Sequence, residues 1–109
     1  MKRGDVFSAA TGSGYGSKPR PVVVVQAPGF DELNTRLVVP LTSEVEDFIP
    51  FRPLIAPNAL NGLRKPSAAM VDVVLTVQRK KFGHRFGEVS PADLERIEGM
   101  MLVVLGLIP

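Results

Sequence analysis

The sequence contains no cysteine and no tryptophan, and it has one histidine and one tyrosine. Without thiols there is no disulfide framework, no thiolate nucleophile and no Cys-ligated zinc. Small secreted domains often lean on disulfides, so their absence points to a reducing, intracellular setting. The single His84 excludes metal sites built on two or three histidines. A Ser-His-Asp triad would have to use His84, and no G-x-S-x-G elbow is there to hold its nucleophile. Long hydrophobic runs are missing as well. The longest, residues 100–105 (MMLVVL), falls far short of the roughly 18 residues a membrane span needs. The opening Met-Lys-Arg-Gly-Asp carries no apolar signal core. The stretch GSGYGSKPR is rich in glycine but lacks P-loop spacing, and no helical pattern follows it. An enzyme built on this chain would run on Arg, Lys, Asp, Glu, Ser, Thr or backbone groups.

What is present is the composition of a folded domain. Of 109 residues, 45% are hydrophobic and 22% charged, too apolar for a disordered tail. The length suits one small domain over residues 1–109. Ten glycines and ten prolines predict many turns and short strands, not a helix bundle. Thirteen Lys and Arg against eleven Asp and Glu give a net charge of +2.

The patterning predicts strands over residues 4–9 (GDVFSA), 22–25 (VVVV) and 36–41 (RLVVPL). An unalternating β-branched run such as 22–25 suits a strand buried on both faces. Pro40 implies an edge, an end or a bulge. Residues 48–56 read as an irregular extended segment and 57–67 as turn-rich. Residues 69–77 (AMVDVVLTV) read as the clearest strand. Its alternation sets Val71, Val73, Leu75 and Val77 on one face and Asp72 on the other, where strands seldom carry Asp.

The chain ends in a helix with marked limits. Ser90 is the expected N-cap, Pro91 the first helical residue, and Asp93 stands three residues after the cap. Leu94, Ile97, Met101 and Leu105 form a stripe. Beyond Gly99 the helix is apolar all round until Gly106 and Pro109 stop it, so it is expected either to be covered by a second subunit or to pack deep between the sheet and a partner. Strands followed by one terminal helix make an α+β domain on a small, bent sheet or barrel.

Basic residues fall into two groups. One is Lys2, Arg3, Lys18 and Arg20. The other is Arg79, Lys80, Lys81, His84 and Arg85, interleaved with Phe82 and Phe86. Such interleaving either holds single-stranded nucleic acid or is a solvated hairpin with two core phenylalanines. Pro19 and Pro21 hold Arg20 between them, which suits a guanidinium that must grip a phosphate. Thr42 and Ser43 at the strand end either cap the turn or bind a phosphate.

RGDVF, KPRPVVVVQ, LVVPLTS and the final LTVQRKKFGHRFGEVSPADLERIEGMMLVVLGL resemble the MazF/PemK toxins of bacterial toxin–antitoxin modules, from Lys2 to Leu107. The Arg-Pro opening of the second strand and the PLTS ending of the third carry most of the likeness. The resemblance implies a small SH3-like antiparallel β-barrel with a C-terminal helix, a homodimer, and a cognate antitoxin partner. It implies a cytoplasmic endoribonuclease that cuts single-stranded RNA by 2′-OH attack, with no metal or other cofactor and no membrane. On the matching positions, Arg20 stabilises the phosphorane and serves in proton transfer, and Thr42 orients the scissile phosphate. Asp72 matches an Asp that some members use, either as base or as substrate contact. Met70 and Val73 stand where those members have Arg and Gln. Tyr15 would stack a base, and Lys18, Ser43, Arg79, Lys80, Lys81 and Arg85 would touch RNA. The alternative is a CcdB-like gyrase poison, which does not keep the Arg20–Thr42 pair.

Overall fold

Residues 1–11 and 18–109 are described by the structure, a computed structural model. The strands are β1 (Asp5–Ala9), β2 (Arg20–Val24), β3 (Thr35–Thr42), β4 (Leu54–Ile55), β5 (Ser67–Ala69), β6 (Leu75–Gln78) and β7 (Phe82–Glu88). One helix, α1 (Pro91–Val104), closes the chain. All strand pairings are antiparallel, in the order β4-β5-β3-β2-β1-β7 with β6 also on β3.

The pairing forces curvature. β6 hangs on the outer side of β3, and β7 on the outer side of β1. In a flat sheet they would stand four spacings apart, about 19 Å. Yet only three residues separate Gln78 from Phe82, a reach of at most about 14 Å. The sheet therefore curls into the small, SH3-like barrel form expected.

β2 is buried on both faces, as its β-branched run implies. Val23 and Val25 join a core with Val6, Val39, Leu41, Ile55, Val71 and Ile97. Val22 and Val24 join a second cluster with Ala9, Val38 and Val77, flanked by Phe7, Leu75 and Phe82. Phe7 and Phe82 meet edge to face, with centroids 5.9 Å apart. Both Phe82 and Phe86 pack against core residues.

Two expectations need correction. The 69–77 segment is not one strand. β5 ends at Ala69, the 3-10 turn Val71–Val73 follows, and β6 begins at Leu75. Asp72 therefore sits on a turn, and α1 packs against that turn. Pro40 lies neither at an edge nor at a strand end. Its carbonyl accepts the Met70 N–H at 2.9 Å. In a strand the missing Pro donor faces the same side, where β3 changes partner from β6 at Val38 to β5 at Leu41. The break between β5 and β6 thus spares β3 a lost ladder bond.

The helix limits match their sequence signals. Ser90 Oγ accepts the Asp93 N–H at 3.1 Å. At the other end Gly106 takes φ +73°, its N–H donating to Val103 O and that of Leu107 to Leu102 O. This is a Schellman ending, which needs glycine at the left-handed position. Ile97 is fully buried, with Leu94, Met100 and Met101 packed alongside, while Leu102, Val103, Val104, Leu105, Leu107 and Ile108 are exposed.

Candidate functional site

The site begins with a cross-strand pair. β2 and β3 pair Val24 with Val38, Val23 with Val39 and Val22 with Pro40. Carried two residues further, that register sets Arg20 across from Thr42, where Cβ atoms of facing residues stand about 5 Å apart. Residues 22 positions apart in the chain come to line one cavity because β2 starts where β3 ends.

Both line a cavity of about 530 Å³, shared with Lys18, Ser43, Glu44, Leu63, Arg64, Lys65 and Phe86. Thr42 is 7% exposed, and its Oγ1 accepts the Glu44 N–H at 3.1 Å. That bond caps the turn and also fixes the hydroxyl, leaving its proton to donate into the cavity. The capping and phosphate-binding alternatives are thus compatible. Glu44 is the one carboxylate lining the cavity among the described residues. A volume of this size suits a nucleotide-sized group.

Other sequence candidates fall elsewhere. Asp72 does not line the cavity. Arg52 donates from Nε to its Oδ1 and from Nη2 to its Oδ2, both at 2.8 Å. That hydrogen bonding, above all, holds the Asp72 carboxyl below its ordinary value of 3.8, against some opposing effect of burial. Arg79, Lys80 and Lys81 form an exposed 3-10 turn outside the cavity lining. The Lys81 carbonyl accepts the Ala10 N–H at 3.1 Å, so this turn borders the segment leading to residue 12. Arg85 reaches Asp5 and Glu88, each at 3.1 Å. Tyr15 lies outside the described residues.

The first basic group is divided. Arg3 donates to Val25 O, at the opposite end of β2 from Arg20, and pairs with Glu98 of α1 at 2.9 Å. The cavity lining also takes in Arg64, Lys65, Glu44 and Phe86, which no motif of the sequence marks as site residues. The signal for the first two was a dibasic step between Gly62 and Pro66 in a segment otherwise read only as turns.

Residues 2–105 match the family of PemK-like, MazF-like toxins of type II toxin–antitoxin systems. A probable endoribonuclease MazF of Mycolicibacterium smegmatis is 38% identical over 107 residues, covering 98% of each chain. A solved endoribonuclease from a mycobacterial species, in complex with its cognate antitoxin, gives a TM-score of 0.82 at 24% identity, over 100% of this chain and 98% of that one. MazF of Deinococcus radiodurans gives 0.78 at 16% identity, over 97% and 96%. At these identities the two structures bear on the fold.

Proposed function

This chain belongs to the family of PemK-like, MazF-like toxins of type II toxin–antitoxin systems, and from that premise we propose that it is an endoribonuclease cutting single-stranded RNA at short sequences, so that translation and growth stop. The observation that carries the proposal is the Arg20–Thr42 pair lining a cavity with a basic rim, in a chain 38% identical to a probable endoribonuclease. The gyrase-poison alternative has neither support.

The chemistry follows from the pair. The ribose 2′-oxygen attacks the adjacent phosphorus and loses its proton. The P–O5′ bond breaks, and the departing oxygen takes up a proton. The products are a 2′,3′-cyclic phosphate and a 5′-OH. As the phosphorane forms, negative charge grows on its equatorial oxygens. The Arg20 guanidinium neutralises it and serves in proton transfer. Thr42 donates its hydroxyl proton to a phosphate oxygen and so orients the group for in-line attack. Asp72, an anion clasped by Arg52 outside the cavity, is a poor proton acceptor. We assign it to holding the 71–73 turn. Lys18 and Ser43 touch the RNA at the rim, and Arg79, Lys80 and Lys81 touch it farther along its path. Arg85 serves the fold first, through Asp5.

Among the described residues no helix is long and apolar enough to cross a membrane. The working site we propose is the cytoplasm, with an antitoxin as regulatory partner. The exposed apolar residues 102–108 support a homodimer through the helix end. Light scattering at micromolar concentration should give twice the 11.8 kDa chain mass. A mass of one chain would refute the dimer.

The central test is incubation with single-stranded RNA in excess EDTA, followed by mapping of the cut ends. Cleavage to cyclic phosphate and 5′-OH ends is expected. Intact RNA, with gyrase-dependent breaks in supercoiled DNA, would overturn the ribonuclease reading.

A further inference from the structure

The connection over residues 57–66 has no role in the chemistry above, yet it builds one wall of the cavity. Its shape is tightly held. Asn58 Oδ1 accepts the Asn61 N–H at 2.8 Å, and Asn61 Oδ1 accepts the N–H groups of Asn58 and Leu63 at 3.1 and 3.0 Å. Asn61 is fully buried, and its Nδ2 donates to Ala56 O at 2.9 Å. Gly62 takes φ +67°, and a Cβ there would stand 2.2 Å from the Phe86 carbonyl oxygen. The Glu88 N–H donates to Leu60 O at 2.9 Å, which ties the turn to β7. Ser67 Oγ donates to Lys65 O at 3.1 Å and holds the exit. Between these anchors Leu63 packs against the core, and Arg64 and Lys65 follow along the cavity.

Charge counting shows what the wall is for. Lys18, Arg20, Arg64 and Lys65 against Glu44 give 4 − 1 = +3 around one cavity, more than the +2 of the whole chain. Among the described residues no carboxylate forms an ion pair with Arg64 or Lys65, although Arg3, Arg52, Arg85 and Arg96 all have one. One scissile phosphodiester carries a single negative charge, which Arg20 already matches. The surplus sits on a separate, rigid wall.

Resting on the ribonuclease reading, we propose that Arg64 and Lys65 form a second phosphate subsite, which grips the RNA backbone phosphate next to the scissile one. The turn held by Asn58, Asn61 and Gly62 positions both side chains. The contact is with the backbone, so it sets affinity and register and leaves the choice of base to other groups. Each phosphate contact to a single strand adds about 0.7 to the slope of log affinity against log salt.

The test is binding of a single-stranded RNA, 2′-O-methylated against cleavage, to wild type and to an Arg64→Gln, Lys65→Gln variant, by fluorescence anisotropy across a salt series. Kd should rise about 10-fold, and the salt slope should fall by about 0.7 for the one phosphate. On a cleavable RNA, KM should rise with kcat within about threefold. Neutral methylphosphonates in place of the flanking phosphates should weaken wild type and leave the variant nearly unaffected. Unchanged Kd and salt slope would overturn the subsite, as would a kcat loss at constant KM. The binding arm reads the subsite whether or not RNA is cut. Failure of this proposal is thus distinct from failure of the ribonuclease reading, which the EDTA assay reports.

Discussion

Around Asp5 and around Arg20 the molecule gathers the same kinds of residue for different purposes. Asp5 is 3% exposed and takes the Lys2 backbone N–H at 2.7 Å and Arg85 at 3.1 Å. Arg85 also holds Glu88, and nearby Arg3 ties Glu98 of α1 to the end of β2. Every carboxylate in that region has an arginine partner, Arg85 serving two of them, and these pairs fasten the N-terminus to β7 and the helix. Around Arg20 the cations outnumber the carboxylates, and Arg64 and Lys65 have no ion-pair partner among the described residues. A matched region has nothing left for a ligand. One with surplus cations carries positive potential that draws anions. Residue type alone does not separate fastening cations from binding ones; the supply of nearby carboxylates does.

Substitutions can break or sharpen that contrast. The largest effect is expected from Arg20→Ala. In the EDTA assay kcat/KM should fall about 10³-fold, or about 4 kcal/mol of transition-state stabilisation, with the circular dichroism spectrum unchanged. Cleavage at the wild-type rate would put the reaction elsewhere. Arg85→Ala should do the reverse. It strips the main cation from a buried carboxylate and should cost about 2 kcal/mol by denaturant unfolding. Its RNA affinity should stay within about threefold of wild type. A large affinity loss without destabilisation would return Arg85 to the RNA interface.

Asp72→Asn is the smallest of the three. The bidentate Arg52 pair is partly exposed, so its loss should cost about 1 kcal/mol. The carboxyl is depressed in the folded state, so its contribution is complete well above 3.8 and lost as pH falls through the lower folded value. Wild type and variant should therefore converge in stability in strong acid, while cleavage near neutrality changes little. A 100-fold fall in kcat with unchanged stability would restore Asp72 to the reaction.

The resemblance reached Arg20 and Thr42, and the pairing register explains why both line one cavity. It did not reach Arg64 and Lys65, which lie between the LVVPLTS and LTVQRKKF stretches that carry the likeness. The strand expected over residues 69–77 breaks at Asp72 for a physical reason. The alternation V-D-V-V-L-T-V fits a strand, but Pro40 on β3 offers no donor opposite its start, and the ladder breaks there into a turn. Arg3 and Arg20 are near neighbours of the first loop in sequence, but the fold sets them at opposite ends of β2.

The chain's absences and its local signals belong to the sequence itself. No cysteine, one histidine, the β-branched run of β2, the Ser90 cap and the Gly106 stop are set by residue chemistry over a few positions. Which side chains come together is not. Arg20 with Thr42, Arg52 with Asp72, Arg85 with Asp5, and Arg64 beside Lys18 in one cavity depend on register and on the curl of the sheet. Those follow from burying valines on both faces of β2, a condition that no single stretch of the chain contains.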